Sequence, residues 1–151
     1  MRTRILATIL LFCFTATGVF AGNLPAKVYV NEAKTPSGLI REFVEVNDET
    51  LDPLQKTVYM YGKCGKLQKK ICYQWNKKGW LSTHKYEYEY DCEQKQEKNV
   101  KTMIYTKWDK LLNAWSTQSE QFLHIYSADG NLYAVKQIHV DKATETLIAS
   151  L

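Results

Sequence analysis

The sequence repeats itself between residues 57 and 151, and this repeat constrains the fold more than any other feature. Two marks recur: Tyr61-x-x-x-Gly65-x-Leu67 returns as Tyr126-x-x-x-Gly130-x-Leu132, and Ile71-x-x-x-Trp75-Asn76-Lys77 returns as Ile104-x-x-x-Trp108-Asp109-Lys110. A degraded third copy ends in Val140-Asp141-Lys142. The spacing of these marks predicts about three units of roughly 32 residues, each a pair of strands with two turns.

The residues inside each unit alternate with a period of two, which is typical of half-buried β-strands and not of helices. Between residues 80 and 90 the even positions are mostly aromatic and the odd positions mostly charged. The pattern therefore predicts one aromatic face made of Trp80, Ser82, His84, Tyr86, Tyr88 and Tyr90. After Pro53 the chain contains no further proline, as strands inside a sheet require.

These observations predict an all-β fold, an antiparallel up-and-down meander of repeated hairpins. Residues 22–55 contribute an N-terminal strand pair, with strand-like runs at Lys27 to Asn31 and Leu39 to Val46. The meander has about seven strands. A flat layer would leave its aromatic face wet, at about 25 cal/mol per Å² of apolar area. We therefore expect the sheet to curl into a roll, a partial barrel or a sandwich.

The first 21 residues have the features of a cleaved signal peptide. Arg2 and Arg4 precede an apolar stretch from Ile5 to Val19, and Ala21 is a small residue at the expected cut. The mature chain is then one domain, residues 22–151, secreted or periplasmic, without stable membrane insertion after the leader is removed. Removing the two arginines lowers the formal charge from +4 to +2, which gives no electrostatic case for nucleic acid.

Three cysteines remain in the mature chain, at positions 64, 72 and 92. In an up-and-down meander the turns near 64 and 92 lie at the same end of the sheet, two strands apart. If one bridge forms, it is Cys64–Cys92, because Cys72 lies along the strand and out of reach. Three free thiols are the alternative. No cysteine or histidine spacing indicates a metal site, and we expect no cofactor.

The four tryptophans flank turns at matched positions: Trp75, Trp80, Trp108 and Trp115. If their rings were exposed and coplanar, these tryptophans would form a platform on which sugar rings could stack. Their recurrence in two units favours a packing role instead, because copies of one hairpin must each solve the same packing problem.

The sequence carries no recognisable catalytic motif. It lacks Gly-x-Ser-x-Gly, His-Glu-x-x-His and a phosphate-cradling glycine-rich loop. His84 and His124 share strand faces with aromatic residues and sit on strands that are not neighbours. We therefore predict that the protein is not an enzyme. An enzyme would need a pocket that joins a histidine to a carboxylate or a serine.

The leader ending Phe20-Ala21-Gly22-Asn23 and the three motifs of the hairpin units together resemble a known protein family. These motifs are Tyr61-x-x-x-Gly65-x-Leu67, Trp75-Asn76-Lys77-x-Gly79-Trp80 and Tyr86-x-Tyr88-x-Tyr90-Asp91. The family comprises small secreted β-repeat proteins of Bacteroides-type bacteria, catalogued as a domain of unknown function. The resemblance implies a periplasmic or extracellular location and brings no activity with it.

The function that fits these features is an exported, non-enzymatic β-repeat protein with a binding or structural role at the cell envelope or outside the cell. The alternative is a small carbohydrate-binding module that uses the four tryptophans. The partner is then an unidentified macromolecule or a glycan. The oligomeric state does not follow from the sequence.

Overall fold

The computed structural model describes residues 26–90 and 99–142, which form eight β-strands. The strands are β1 (Ala26–Thr35), β2 (Gly38–Asn47), β3 (Pro53–Gly62), β4 (Leu67–Trp75), β5 (Trp80–Tyr90), β6 (Val100–Asp109), β7 (Ala114–Tyr126) and β8 (Leu132–Asp141). Both N-terminal runs expected as strands lie within β1 and β2.

The strands form one sheet in the order β1 to β8, and every neighbouring pair is antiparallel. The predicted up-and-down meander of hairpins is therefore confirmed. The sheet is open, with β1 and β8 as its two edges, and the extensive contacts between strands all join consecutive strands. The strands described form no second layer over either face, so the sheet is not doubled into a sandwich.

An open layer has a shallow core. Among the described residues no large side chain is fully buried, and Val46 is the one buried hydrophobic residue. Thr102, Thr106 and Ser119 are also buried, on the central part of β6 and β7. The sheet is consequently held by its hydrogen-bond ladders and by contacts between side chains on adjacent strands, the units that stabilise sheets in general.

Three turns at one end of the sheet are built in the same way. The side-chain Oδ1 atoms of Asn47, Asn76 and Asp109 each accept two backbone N–H groups, from the residues two and three positions further on, at 2.8–3.0 Å. Such Asx turns provide a hydrogen-bond acceptor for backbone N–H groups that do not pair with a neighbouring strand. The repeat thus includes the β2–β3 hairpin. It begins one hairpin earlier than the recurring sequence motifs predict.

Turns at the opposite end use glycine. The Gly62 N–H donates to Lys66 and the Gly65 N–H donates to Gly62, both at 2.9 Å. The turn from Ser127 to Asn131 repeats both bonds, with Gly130 in the place of Gly65. Gly65 and Gly130 have φ values of 76° and 77°, a left-handed conformation that favours glycine. The recurring Tyr-x-x-x-Gly-x-Leu mark therefore encodes this turn.

The predicted single aromatic face between residues 80 and 90 is wrong at its first members. Cys72 pairs with His84, but Tyr73 pairs with Ser82, so Thr83 is the extra residue of a β-bulge. The Thr83 hydroxyl donates to the Cys72 carbonyl at 3.0 Å. A bulge changes which side chains share a face, and Trp80 and Ser82 therefore lie on the opposite side of the sheet from the tyrosines.

Candidate binding surface

The register places most tyrosines on one side of the sheet, which we call the tyrosine face. Its aromatic members come from five strands, β2, β3, β5, β6 and β7. They are Phe43, Tyr59, Tyr61, Tyr86, Tyr88, Tyr90, Tyr105, Phe122 and Tyr126. All of them are half-buried. Because no described strand covers them, their rings and hydroxyls form a continuous surface that is open to a partner.

A ring cluster stands at the centre of the tyrosine face, where β5 meets β6. The ring centroids of Tyr86 and Tyr105, which are cross-strand partners, are 5.2 Å apart. The imidazole of His84 lies 5.4 Å from Tyr86 and 5.7 Å from Tyr105. Edge-to-face and tilted pairs of this kind stabilise a sheet beyond the area that they bury. The cluster is thus a preorganised aromatic patch.

One lysine lies between the rings of the tyrosine face. The Lys70 ammonium is 5.6 Å from the ring centroid of Tyr59 and 5.5 Å from that of Tyr86. Cation–π attraction holds an ammonium over an aromatic ring at such distances. The centre of the surface therefore combines aromatic rings with a positive charge.

Burial favours the protonated form of three phenols on the tyrosine face, those of Tyr86, Tyr88 and Tyr90. Burial raises the pKa of Tyr88 to about 12, with smaller contributions from neighbouring tyrosines. Burial likewise raises the pKa of Tyr86 and of Tyr90. A neutral phenol both donates and accepts hydrogen bonds. These side chains can therefore bind a partner by stacking and by hydrogen bonding together.

Cys72 and His84 are cross-strand partners on the tyrosine face, but they do not form a nucleophile and its base. Burial raises the pKa of the Cys72 thiol, and the opposing effects of Lys70 and Thr57 are smaller. Burial lowers the pKa of His84, with a further contribution from Lys70. Both groups are held in their neutral forms, whereas a reactive cysteine needs a thiolate.

The four candidate tryptophans lie on the other side of the sheet, which we call the tryptophan face. Trp75 pairs with Trp80 and Trp108 pairs with Trp115, each across its hairpin. The ring planes meet at 66° in the first pair and 85° in the second, with centroids 5.1 and 5.0 Å apart. All four are half-buried. Within each pair the rings are edge-to-face rather than coplanar.

Lysines lie against two of these tryptophan rings. The Lys56 ammonium is 5.0 Å from the Trp80 centroid, and the Lys85 ammonium is 5.2 Å from the Trp115 centroid. A sugar ring would have to displace these cations before it could stack on the same ring faces. The geometry is that of packing pairs that flank a turn, one in the β4–β5 hairpin and one in the β6–β7 hairpin.

A shallow pocket of about 110 Å³ lies beside an irregularity in β6–β7. Thr106 pairs with Ser119 and Trp108 pairs with Trp115, so Lys107 faces three residues of β7. The pocket lining joins His139 to Glu120 and Ser119, the combination that an enzyme would need. However, the Ser119 hydroxyl is buried without a hydrogen-bond partner, so His139 is not positioned to activate it.

Only one cysteine of the predicted Cys64–Cys92 bridge lies among the described residues. Cys64 is exposed in the turn after β3, and Tyr90 is the last residue of β5. Cys92 lies outside the described residues. The β3–β4 turn and the end of β5 are thus at the same end of the sheet, as the bridge requires.

Two further findings concern the described residues alone. They contain no group of three or more histidine, cysteine or acidic side chains placed to hold a metal ion. They also contain no helix with the length and apolar character needed to cross a membrane.

The sequence reasoning missed most of the tyrosine face. It singled out Tyr86, Tyr88 and Tyr90 but not Tyr59, Lys70 or Tyr105. These residues belong to different strands, and only the pairing register brings them together. The hairpin turn between Trp75 and Trp80 fixes only the pairs beside it, because the bulge at Thr83 shifts the register before Lys70 pairs with Tyr86.

A family model described as a family of unknown function, DUF3836, matches residues 1–126. No curated protein matches the chain. A crystal structure of a DUF3836 family protein from Parabacteroides distasonis is similar at 12% identity and a TM-score of 0.36, covering 82% of this chain and 98% of its own. A crystal structure of a protein with unknown function from Bacteroides fragilis is similar at 19% identity and a TM-score of 0.46, covering 78% of this chain and 84% of its own.

The family model confirms the family of unknown function that the sequence motifs indicate. The family model covers most of the sequence, from its first residue to the end of β7. The chain therefore belongs to the DUF3836 family.

Proposed function

We propose that the protein is an exported, non-enzymatic binding protein whose tyrosine face contacts a macromolecular ligand, either a protein or a polysaccharide. The observation that carries this proposal is the open aromatic surface around Tyr86 and Tyr105, which lacks a covering strand in the described part of the chain. Contiguous exposed apolar patches on soluble proteins commonly mark interaction sites. Tyrosine is enriched in such sites because its ring and hydroxyl act together.

The chemistry of the same face supports binding rather than catalysis. The Cys72 thiol and the His84 imidazole are both held neutral, and burial raises the pKa values of the Tyr86, Tyr88 and Tyr90 phenols. Groups of this kind offer stacking and hydrogen bonds but no activated nucleophile. Export is supported by the leader, in which Arg2 and Arg4 precede the apolar stretch that ends before Ala21.

A matched pair of variants tests the binding face. Tyr86→Ala removes a ring of the tyrosine face, and Tyr73→Ala removes a half-buried tyrosine of the opposite face on the neighbouring strand. The chain beginning at Gly22 is immobilised and exposed to an envelope extract and to a panel of purified polysaccharides. We expect a ligand held by the wild type to be lost with Tyr86→Ala and kept with Tyr73→Ala, while circular dichroism shows both variants folded. Equal loss in both variants would refute the proposal.

The carbohydrate-binding alternative on the tryptophan face has one observation in its favour: Trp75, Trp80, Trp108 and Trp115 are half-buried, so each has some ring surface in solvent. Its test is tryptophan fluorescence during titration with soluble glycans. Quenching that disappears in Trp80→Phe and Trp115→Phe would support it. Binding without any change in tryptophan emission would favour the tyrosine face.

A further inference from the structure

The two edges of the sheet complement each other. β1 and β8 each contain ten residues and leave one side of their backbone unpaired by any described strand. Unpaired edges present rows of N–H and C=O groups that favour pairing with another strand. Because β1 and β8 run in opposite directions in the sheet, the β8 edge of one molecule can meet the β1 edge of the next as an antiparallel pair, with both faces continuing.

Both edge strands include exposed apolar residues. On β1, Val28, Tyr29 and Val30 are 52–56% exposed, and on β8 Val135 is 48% exposed. The β1–β2 pairing is regular along its whole length, without the bulges that interrupt the other pairs. Proteins commonly protect a free edge with a bulge or a proline, and β1 has neither.

The repeat itself leaves a place for a second copy. In three units an Asx residue stands at the end of a strand or directly after it, and a turn and a return strand follow: β2 is followed by β3, β4 by β5 and β6 by β7. β8 ends in Val140-Asp141, the same mark, but no described return strand follows it. β1 is a strand of the return type, since a turn at the glycine end joins it to β2. The β8 edge therefore lacks a return strand, which β1 of another copy can supply. The β1 edge lacks a preceding strand of the kind that ends in an Asx mark, which β8 of another copy can supply.

Matching the strand ends gives a definite register, in which residues 134–141 of one copy oppose residues 26–33 of the next. Tyr29 then faces Ile138 on the tryptophan face, and Val30 faces Gln137 on the tyrosine face. An aromatic residue opposite a β-branched one is a favourable cross-strand pair. Lys27 faces Val140 and Glu32 faces Val135, so no like charges oppose each other.

We propose that the protein assembles with itself, the β8 edge of one copy pairing with the β1 edge of the next, so that the meander continues from molecule to molecule. Such a head-to-tail contact joins two different surfaces. It therefore builds rings or filaments rather than closed two-fold dimers. The proposal does not depend on binding by the tyrosine face.

Two single substitutions test the assembly by blocking one edge each. Val30→Lys places a charge on β1, and Gln137→Lys places a charge on β8, both at exposed positions. The control is Leu111→Lys, a 96% exposed residue of a turn away from both edges. The chains begin at Gly22, and their mass is followed by sedimentation velocity as the concentration is raised.

We expect the wild type and Leu111→Lys to form oligomers, and each edge variant alone to be monomeric. An equal mixture of the two edge variants should form a dimer and stop there, because each supplies the edge that the other has lost. A monomeric wild type overturns the proposal. This holds even if a chain without residues 143–151 assembles, because residues 143–151 would then block the β8 edge in the full chain. Oligomers that survive in either edge variant alone also overturn it.

Discussion

The hydroxyl of Tyr126 donates a hydrogen bond to the backbone carbonyl of Val100 at 2.9 Å, across the β6–β7 hairpin. Val100 is the first residue of β6, and Tyr126 is the last residue of β7. The β4–β5 hairpin has the same relationship, with Tyr90 donating to the carbonyl of Leu67 at 2.8 Å. The terminal tyrosines of β5 and β7 therefore each fasten the beginning of the strand before them.

Replacing Tyr126 by phenylalanine should weaken the fold while leaving the ring in place. The Val100 carbonyl loses its partner, and we expect the free energy of unfolding to fall by about 1 kcal/mol. Urea denaturation followed by circular dichroism measures the change. Tyr133→Phe is the control, because Tyr133 is 80% exposed, and it should leave stability unchanged. Equal stability of all three proteins would show that the bond contributes nothing.

The two tryptophan pairs should each be energetically coupled. In a double-mutant cycle of Trp108→Ala and Trp115→Ala, the edge-to-face contact at 5.0 Å predicts a coupling of about 1 kcal/mol. A second cycle, of Trp75→Ala and Trp115→Ala, combines residues of different hairpins. Its coupling should stay within about 0.5 kcal/mol, as for distant sites. Coupling of the same size in both cycles would contradict the assignment of these rings to separate packing pairs.

The Asx turns should tolerate only residues that keep the accepting oxygen. Asp109→Ala removes the acceptor for the N–H groups of Leu111 and Leu112, and we expect a loss of about 1 kcal/mol. Asp109→Asn retains an oxygen at the same position and should keep most of the stability. Asn131→Ala, in a turn that uses backbone bonds, is the control. The contrary result is an asparagine variant as unstable as the alanine variant.

The strand content and the meander were predictable because alternation and turn chemistry are local signals. The assignment of faces was not, and Trp80 shows why. Its spacing from Tyr86 is even, which predicts a shared face, but the extra residue Thr83 reverses the side. The position of a bulge depends on how Trp75 and Trp80 pair across the turn while Lys70 pairs with Tyr86 further along. That is a relationship between two strands, which alternation along one strand cannot report.

The same limit applies to the shape of the sheet and to the candidate surface. The sequence pattern of half-buried aromatic residues is the same whether they are covered by a second layer of the fold or by neighbouring side chains of the same sheet. Here Tyr86 is covered by Tyr105 and Lys70 within its own layer. Predicting the tyrosine face required the registers of five consecutive strand pairs, from β2 to β7.

Stability should fall at alkaline pH because of the tyrosine face. Burial raises the pKa of Tyr88 from 10.0 to about 12 in the folded protein. Between these values the unfolded chain has lost this proton and the folded one retains it, so unfolding becomes more favourable as the pH rises. The contribution is therefore present below pH 10 and lost as the pH approaches 12. Urea midpoints measured from pH 8 upwards should fall less steeply in Tyr88→Phe than in the wild type or in Tyr133→Phe.

The two described cysteines should differ in their reaction with iodoacetamide. Burial raises the pKa of the Cys72 thiol, and only the thiolate reacts, so Cys72 should be alkylated slowly in the folded chain and rapidly in urea. Cys64 is exposed, and after reduction it should react first. Without reduction, the predicted Cys64–Cys92 bridge would leave Cys64 unmodified even in urea. Peptide mapping by mass spectrometry assigns each site. A Cys64 that is alkylated in the unreduced protein would exclude the bridge, and a Cys72 that reacts as fast as Cys64 would exclude its burial.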